Sequence, residues 1–237
     1  MNALATEPLF DRDGWWNPAC RAFASLRSVS TFRLQVLEQW LTANWRGRTV
    51  VDLGCGGGLL AVPLARAGAR VVGVDVAKMA LRAARREDAP PWLAVVGDMN
   101  NPPLRAGSAD VVLLADVLEH VTDPAAVVRA AAVLLAPGGH LFVNTIARTR
   151  RSRWLAIDLA EGLGYVPRGT HRWEQFLDPE EVERMAAAAG LLPVATVGEA
   201  PRLLATLWRG AVVLRASRSR AVGYAILFRK ESNATRA

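Results

Sequence analysis

Only two cysteines, Cys20 and Cys55, occur among the 237 residues of the chain. Two thiols are too few for a disulfide framework, which excludes a small disulfide-stabilised scaffold and favours a reducing compartment. No apolar run reaches the roughly 18 residues that a membrane-spanning helix requires. The first residues carry acids instead of a basic segment followed by an apolar one, so we expect a cytoplasmic protein without a secretion signal.

Lysine is almost absent, so arginine supplies nearly all of the positive charge behind the formal net charge of +7. The arginines gather in "RTRRSR" at 148–153 and in the C-terminal segment from Arg202 onward, where Glu231 is the only acid. A basic surface of this kind can meet nucleic acid, an anionic membrane or an acidic substrate. A solvated arginine-rich face is the other interpretation.

From residue 49 onward, short β-branched runs alternate with longer segments rich in alanine and leucine. Such alternation predicts strands separated by helices. Strands that are apolar on both faces indicate parallel pairing with right-handed crossovers. We therefore predict an α/β fold with a doubly wound, mostly parallel, seven-stranded sheet. The predicted strands are "TVVDLG", "RVVGVD", "LAVVGDM", "ADVVLLAD", "HLFVNTI", "LLPVATVG" and "AVGYAILFRK".

The stretch "VVDLGCGGGL" at 50–59 places four glycines directly behind the first predicted strand. Ligands of open parallel sheets bind at the carboxyl ends of the strands, where glycine permits a positive φ and a close approach of the backbone. Amides of the following helix would face negative groups of the ligand. The pattern predicts a nucleotide-like cofactor bound at Asp52, Gly54, Gly56 and Gly58. Neither a dinucleotide fingerprint nor a P-loop has this spacing.

A single domain with four parts is the economical division of the chain. Residues 1–47 form an N-terminal helical cap, and residues 48–146 form the cofactor-binding core. Residues 147–178 form a lid or insertion after the fifth strand, and residues 179–237 supply a C-terminal helix and strands.

The turn at 52–58 resembles the first motif of the class I S-adenosylmethionine-dependent methyltransferases, which has the form acidic-x-Gly-x-Gly-x-Gly. The resemblance implies that Asp75, at the end of the second strand, binds both ribose hydroxyls of S-adenosylmethionine. Two adjacent hydroxyl donors suit one carboxylate. It also implies that Asp98, in "VVGDM", lies near the adenine amino group, with a helix N-cap as the alternative role of Asp98.

Longer segments resemble the ubiquinone-biosynthesis O-methyltransferase family, whose members methylate a phenolic or catechol hydroxyl on a ring with a polyprenyl tail. The segments are Trp15-Trp16, "ADVLEHVTDP", "LLAPGGHLFVNTIART" and "GYVPRGTHRWEQFLDPEE". The resemblance implies a Rossmann-like fold, O-methylation of a small aromatic substrate that can carry a prenyl tail, and an S-adenosylmethionine site lined by Arg33, Gly54, Asp75 and Ala115. The chain departs from the family pattern in "LRSVSTFR", before Arg33, and beyond residue 195.

Some family members hold a divalent cation with an acid-x-x-Glu-His set. The resemblance implies that Asp116, Glu119 and His120 would hold Mg²⁺, although Asp116 stands where the family usually has glutamate. A phenol has a pKa near ~10, so at neutral pH it needs a base or a cation to ionise. Histidine can be that base, which makes His120 and His171 the catalytic candidates. A turn residue hydrogen-bonded to the backbone is the alternative role of His120.

The segment 148–166, "RTRRSRWLAIDLAEGLGYV", places arginines beside apolar side chains. That composition suits peripheral contact with an anionic membrane at its inner face. An amphipathic lid packed over a substrate pocket is the alternative.

Two other functions fit the same core. The first is a methyltransferase acting on another hydroxylated small molecule of secondary metabolism, and the second is a binding module that retains only the fold. Methylation of a nucleic-acid base amine usually employs an Asn/Asp-Pro-Pro-aromatic tetrad after the fourth strand, where this chain reads "ADVLEH". We therefore expect a small-molecule substrate and no nucleic-acid partner.

Overall fold

The computed structural model describes residues 9–41, 44–87 and 92–232. Within these ranges, short runs of β-branched residues and leucine form the strands of one sheet. The strands are β1 Thr49–Leu53, β2 Arg70–Asp75, β3 Trp92–Val96, β4 Ala109–Ala115, β5 Leu135–Ile146, β6 Leu191–Pro201, β7 Leu214–Ser217 and β8 Gly223–Lys230.

The strands lie in the order β3-β2-β1-β4-β5-β8-β6-β7. The first five pair in parallel, whereas β8 is antiparallel to β5 and β6, and β7 is antiparallel to β6. Successive strands are added on one side of β1 up to β3, and the chain then crosses to the other side of β1 to add β4 and β5. Ligands of such sheets bind outside the carboxyl ends of the strands at this switch point. The predicted doubly wound, mostly parallel α/β sheet is confirmed.

The predicted number of seven strands is wrong, because the described ranges contain eight. The additional strand, β7, has four residues, "LRAS", and pairs with β6 from Gly198↔Ser217 to Pro201↔Leu214. An edge strand needs hydrogen bonds to one neighbour only, so a short and half-polar segment can form it. Its sequence has too few residues to show an apolar alternation.

Helices cover both faces of the sheet and pack against two separate apolar cores. Within the described ranges, no helix is both long and apolar enough to span a membrane. The helices are α1 Ala24–Leu41, α2 Ala61–Arg66, α3 Lys78–Arg85, α4 Pro124–Leu134, α5 Arg150–Arg153, a π-helix at Trp154–Glu161, α6 Pro179–Ala188 and α7 Leu203–Arg209. Short 3₁₀ turns lie at Arg21–Phe23, Leu118–His120 and Trp173–Gln175.

The insertion after β5 consists of α5, the π-helix and the loop that leads to α6. Thr149 caps α5, since its Oγ1 accepts a hydrogen bond from the Ser152 amide at 3.0 Å. Arg148 ties the start of the insertion to α6 through contacts with Glu181 and Asp178. These contacts fix the insertion beside the carboxyl end of β5.

Phe142 offers a test of the core. Its side chain is fully buried in β5, and its ring centroid lies 6.1 Å from that of Trp40 in α1. Phe142→Ala is expected to lower the free energy of unfolding in urea by about 3–5 kcal/mol, because the lost side chain leaves a cavity. Leu192→Ala, at an apolar position that is 52% exposed, should change it by about 0.5 kcal/mol or less. Similar losses in both variants would contradict the placement of Phe142 in the core.

Candidate active site

A cavity of about 780 Å³ lies at the carboxyl ends of β1, β2, β4 and β5. Its volume falls within the range of pockets that enclose small molecules. The turn after β1, helix α1, the insertion and α7 all contribute to its walls. The predicted residues Arg33, Asp52, Gly54, Gly56, Asp75, Asp98, Ala115, Asp116, His120 and His171 line it together.

The glycine turn after β1 approaches its neighbours too closely for side chains. Gly54 and Gly56 have φ values of 74° and 50°, in the left-handed region that favours glycine. A Cβ on Gly56 would lie 2.6 Å from the Trp15 ring, and a Cβ on Gly54 would lie 2.7 Å from Val117 Cγ2. A side chain at either position would therefore displace the cavity wall.

Gly58 has a different role from the other two predicted glycines. It does not belong to the cavity lining. A Cβ on Gly58 would lie 3.2 Å from both Ala84 Cβ and Val62 Cγ2. Gly58 therefore supports the packing of α2 and α3 behind the turn.

Asp75 joins β2 to the glycine turn. Its Oδ2 accepts a hydrogen bond from the Gly56 amide at 2.7 Å, and its Oδ1 accepts one from the Ala77 amide at 2.8 Å. Burial raises the pKa of Asp75. Burial, and then the charge of Asp75, raises the pKa of the neighbouring Asp52 to about 7, against the effect of a backbone hydrogen bond from Ala61. The buried Asp52 and the half-buried Asp75 thus face this end of the cavity.

Asp98 and Ala115 complete the wall beside these acids. Asp98 Oδ1 accepts hydrogen bonds from the amide and from Nδ2 of Asn100, at 2.8 and 2.9 Å. The contact closes a turn, and no helix of the described ranges begins there, so Asp98 is not a helix N-cap. Ala115 is the last residue of β4 and has a small side chain, which leaves room in the cavity.

Arg33 lies at the centre of a buried charge cluster. Its guanidinium contacts the carboxylate of Asp116 and lies 3.2 Å from Glu199 Oε2. Burial alone would lower the pKa of Arg33, but the two carboxylates raise it above its ordinary value. Arg33 Nε and Glu199 Oε1 are buried and have no hydrogen-bond partner among the described residues. The cluster therefore offers one donor and one acceptor to a ligand.

The residues predicted to hold magnesium do not form a metal site. The carboxylate of Asp116 contacts the guanidinium of Arg33 and accepts a hydrogen bond from Asn144 Nδ2 at 3.1 Å. Glu119 is buried and accepts a hydrogen bond from Thr145 Oγ1 at 2.7 Å. Burial, and then the charge of Asp116, raises the pKa of Glu119. Residues 9–41, 44–87 and 92–232 contain no group of three His, Cys, Asp or Glu side chains that could hold a metal ion.

His171 and Glu161 form a hydrogen-bonded pair beside the cavity. Glu161 Oε1 lies 3.0 Å from His171 Nδ1 and accepts a hydrogen bond from the His171 amide at 2.9 Å, while Oε2 accepts one from the Gly169 amide at 2.7 Å. Burial alone would raise the pKa of Glu161, but these hydrogen bonds lower it. An ionised Glu161 favours a proton on His171 Nδ1, which leaves Nε2 as the proton acceptor.

His120 lies next to this pair. Its ring centroid is 6.2 Å from that of His171 and 5.5 Å from that of Phe10. The His120 amide also donates a hydrogen bond to the Val117 carbonyl at 2.9 Å, within a 3₁₀ turn. His120 is thus a turn residue whose ring belongs to the aromatic wall of the cavity.

Sequence reasoning missed Glu161 and Glu199. Both lie in mostly apolar segments, "WLAIDLAEGLGY" and "ATVGEAP", and buried acids require partners. Gly223 on β8 stands opposite Glu199, and a Cβ there would lie 3.4 Å from Glu199 Cβ. An acid in an apolar segment was the available signal, but it does not identify the partner, which for Glu199 lies 166 residues away.

Comparison with known proteins identifies the chemistry that this arrangement serves. A protein family described as a methyltransferase domain matches residues 51–143. The ubiquinone biosynthesis O-methyltransferase of Ralstonia nicotianae is 43% identical over 184 residues, which cover 76% of each chain. The protein of the same name from Bordetella avium is 39% identical over 186 residues, again 76% of each chain.

Solved structures share the fold at lower identity. A S-adenosylmethionine-dependent methyltransferase of Thermotoga maritima is 22% identical, with a TM-score of 0.70 over 94% of this chain and 99% of that one. Magnesium protoporphyrin IX methyltransferase of Synechocystis, solved with bound S-adenosylhomocysteine, is 19% identical, with a TM-score of 0.63 over 94% of this chain and 91% of that one. They confirm the Rossmann-like methyltransferase fold. Because the curated relatives match three quarters of both chains, the chain belongs to the ubiquinone-biosynthesis O-methyltransferase family of S-adenosylmethionine-dependent methyltransferases.

Proposed function

We propose that the protein methylates a phenolic or catechol hydroxyl of a small, prenylated aromatic acceptor. The observation that carries this proposal is the His171–Glu161 pair at the cavity that also contains the glycine turn and Asp75. A phenol with a pKa near ~10 is a poor nucleophile at neutral pH, and an oriented histidine can remove its proton.

The residues at the carboxyl ends of β1, β2 and β4 fit S-adenosylmethionine, which supplies an electrophilic methyl group on a sulfonium. Asp75 uses only part of its accepting capacity on Gly56 and Ala77, so it can also accept ribose hydroxyls. Asp98 and Ala115 would line the adenine and amino-acid portions. Gly54 and Gly56 would let the backbone approach the cofactor.

The buried atoms without partners fit the amino-acid end of the cofactor. Arg33 Nε is a charged donor for a carboxylate, and Glu199 Oε1 is an acceptor for an ammonium group. A ligand that carries both groups would satisfy both atoms at once. A zwitterionic amino-acid moiety has this combination.

Proton removal falls to His171 in this proposal. Glu161 holds the Nδ1 proton, and His171 Nε2 takes the proton of the acceptor hydroxyl as the oxygen bonds to the methyl carbon and the carbon–sulfur bond breaks. His120 and Phe10 lie beside His171 and would pack against the acceptor ring.

The insertion supplies an apolar wall for an acceptor with a hydrocarbon tail. Its side chains Leu155, Leu159 and Val166 line the cavity, Leu163 lines it and is also exposed, and Trp154 is exposed outside the lining. We assign both predicted roles to segment 148–166. Its side toward the cavity acts as a lid, and its side toward solvent makes peripheral contact with the inner face of the membrane. Such contact would let a cytoplasmic enzyme collect a lipid-soluble acceptor.

Transfer of a labelled methyl group tests the proposed function. Purified protein is expected to methylate a short-chain prenylated catechol on oxygen and to release S-adenosylhomocysteine. The same catechol without its prenyl chain serves as the control and should react with a higher KM, because it buries less apolar surface. Transfer only to a non-aromatic hydroxylated metabolite would favour the alternative acceptor class. Binding of S-adenosylmethionine without transfer to any hydroxyl would contradict the proposal.

Asp75→Asn is expected to weaken S-adenosylmethionine binding about tenfold or more, because a charged hydrogen-bond acceptor is worth about 1.5–3 kcal/mol. Isothermal titration calorimetry would measure the Kd. Asp110→Asn is the matched control, since Asp110 Oδ2 also accepts a backbone hydrogen bond, from Thr49 at 2.8 Å, but lies outside the cavity lining. Equal affinities in the two variants would remove Asp75 from the cofactor site.

His171→Gln is expected to lower kcat about a hundredfold or more while the Kd for S-adenosylmethionine stays unchanged, because the variant loses the base and keeps the cofactor pocket. Glu161→Gln should lower kcat by a smaller factor, since it only orients His171. His140→Gln is the control, because His140 lies on β5 outside the cavity lining. A loss of cofactor affinity that parallels the loss of kcat would place His171 in the cofactor site instead.

A further inference from the structure

Helix α7 presents an apolar surface to solvent. Leu204 is 84% exposed and Trp208 is 87% exposed, the highest exposures among the large hydrophobic side chains of the described ranges. Leu203 and Leu207 are exposed as well. Four large apolar side chains on one seven-residue helix are unusual for a surface in water, and such patches mark interaction sites.

Backbone contacts hold α7 in this orientation. The Arg202 amide donates a hydrogen bond to the Val213 carbonyl at 2.7 Å, and Thr206 Oγ1 accepts one from the Val213 amide at 3.0 Å. Gly210 ends the helix in the left-handed conformation, with a φ of 63°. The side chain of Thr206 is buried, so the opposite face of α7 points away from the protein.

Helix α7 and the insertion meet at one residue of α1. Ser25 Oγ donates a hydrogen bond to the Tyr165 carbonyl at 2.6 Å and accepts one from the Val212 amide at 3.0 Å. Leu163 of the insertion and Leu207 of α7 are both exposed, and both line the cavity. The two apolar elements are therefore parts of one surface around the cavity.

Arginine predominates among the charges around this surface. Residues 200–218 contain four arginines and no acid. Arg202 and Arg209, at the two ends of α7, are exposed, as are Arg150, Arg151 and Arg153 at the start of the insertion. The exposed acids of the insertion segment, Asp158 and Glu174, are outnumbered. A rim of arginine around leucine and tryptophan is the composition that binds an anionic bilayer interface.

We propose that α7 docks on an anionic phospholipid surface and forms, with the insertion, a two-element footprint around the cavity. A second copy of the chain fits this surface less well, because a two-fold interface would bring the arginine rims of both copies together. A bilayer presents anionic headgroups to the arginines and hydrocarbon to Leu204 and Trp208. Lipid-soluble molecules could then enter the cavity without crossing water.

Vesicle sedimentation tests this proposal with the full chain. The probes are vesicles containing phosphatidylglycerol and vesicles of phosphatidylcholine alone. The wild-type protein is expected to sediment with the anionic vesicles, and L204S/W208S is expected to reduce its partitioning at least about tenfold. V133S/L192S, which alters apolar side chains that are 57% and 52% exposed on α4 and β6, should partition like the wild type.

Three results would overturn the proposal. They are equal partitioning of the two double variants, equal wild-type partitioning on both kinds of vesicle, and a wild-type dimer in solution that L204S/W208S converts to monomer without any vesicle binding. Transfer to a short-chain acceptor, measured without vesicles, should be the same in wild type and L204S/W208S because neither side chain lines the cavity. If the wild type shows no such transfer, the proposed function is refuted. The vesicle result still tests the docking of α7, because it does not depend on methyl transfer.

Discussion

The hydrogen bond from the Gly56 amide to Asp75 Oδ2 connects the two strands on which the site depends. β1 and β2 pair in parallel up to Leu53↔Val74, and the Gly54 amide extends the ladder by donating to the Val74 carbonyl at 2.8 Å. The chain must then turn away within a few residues while its amides still reach Asp75. Only residues without side chains can do this beneath the Trp15 ring, because a Cβ on Gly56 or Gly57 would lie 2.6 or 2.3 Å from that ring. The turn, the acid and the N-terminal cap therefore form one unit.

Buried charge sets the chemistry of the neighbouring wall. One cation, Arg33, is placed between Asp116 and Glu199, with Glu119 nearby. Burial raises the pKa of both glutamates, and the charge of Asp116 raises it further. Asp116 adopts a φ of 52°, the only positive φ of a non-glycine residue in the described ranges, and such strain is typical of functional sites.

The meeting of the glycine turn and Asp75 at one cavity could be predicted from the sequence because its signals follow directly from the strand ends. Asp52, Gly54 and Gly56 stand in one short segment, and Asp75 follows the next strand directly. The parallel sheet brings strand ends together without further information. The remaining contacts do not follow from the strand pattern: Glu161 and His171 lie in the insertion, outside the sheet, and Glu199 reaches Arg33 across 166 residues. The resemblance also suggested a metal set at Asp116, Glu119 and His120, but the ion pair with Arg33 takes up the first carboxylate.

The two sides of the cavity differ in how closely their sequences resemble the family pattern. The chain departs from the family pattern beyond residue 195, and this part contributes Glu199, α7 and β7 to the structure. Gly223 on β8 leaves room for Glu199 at the cavity wall, and Val212 joins the segment after α7 to Ser25. The same α1 helix also carries Arg33, eight residues after Ser25. Helix α1 thus connects the wall that contains Arg33 to the segment beyond residue 195, so a change in either one can reach the other through a single rigid element.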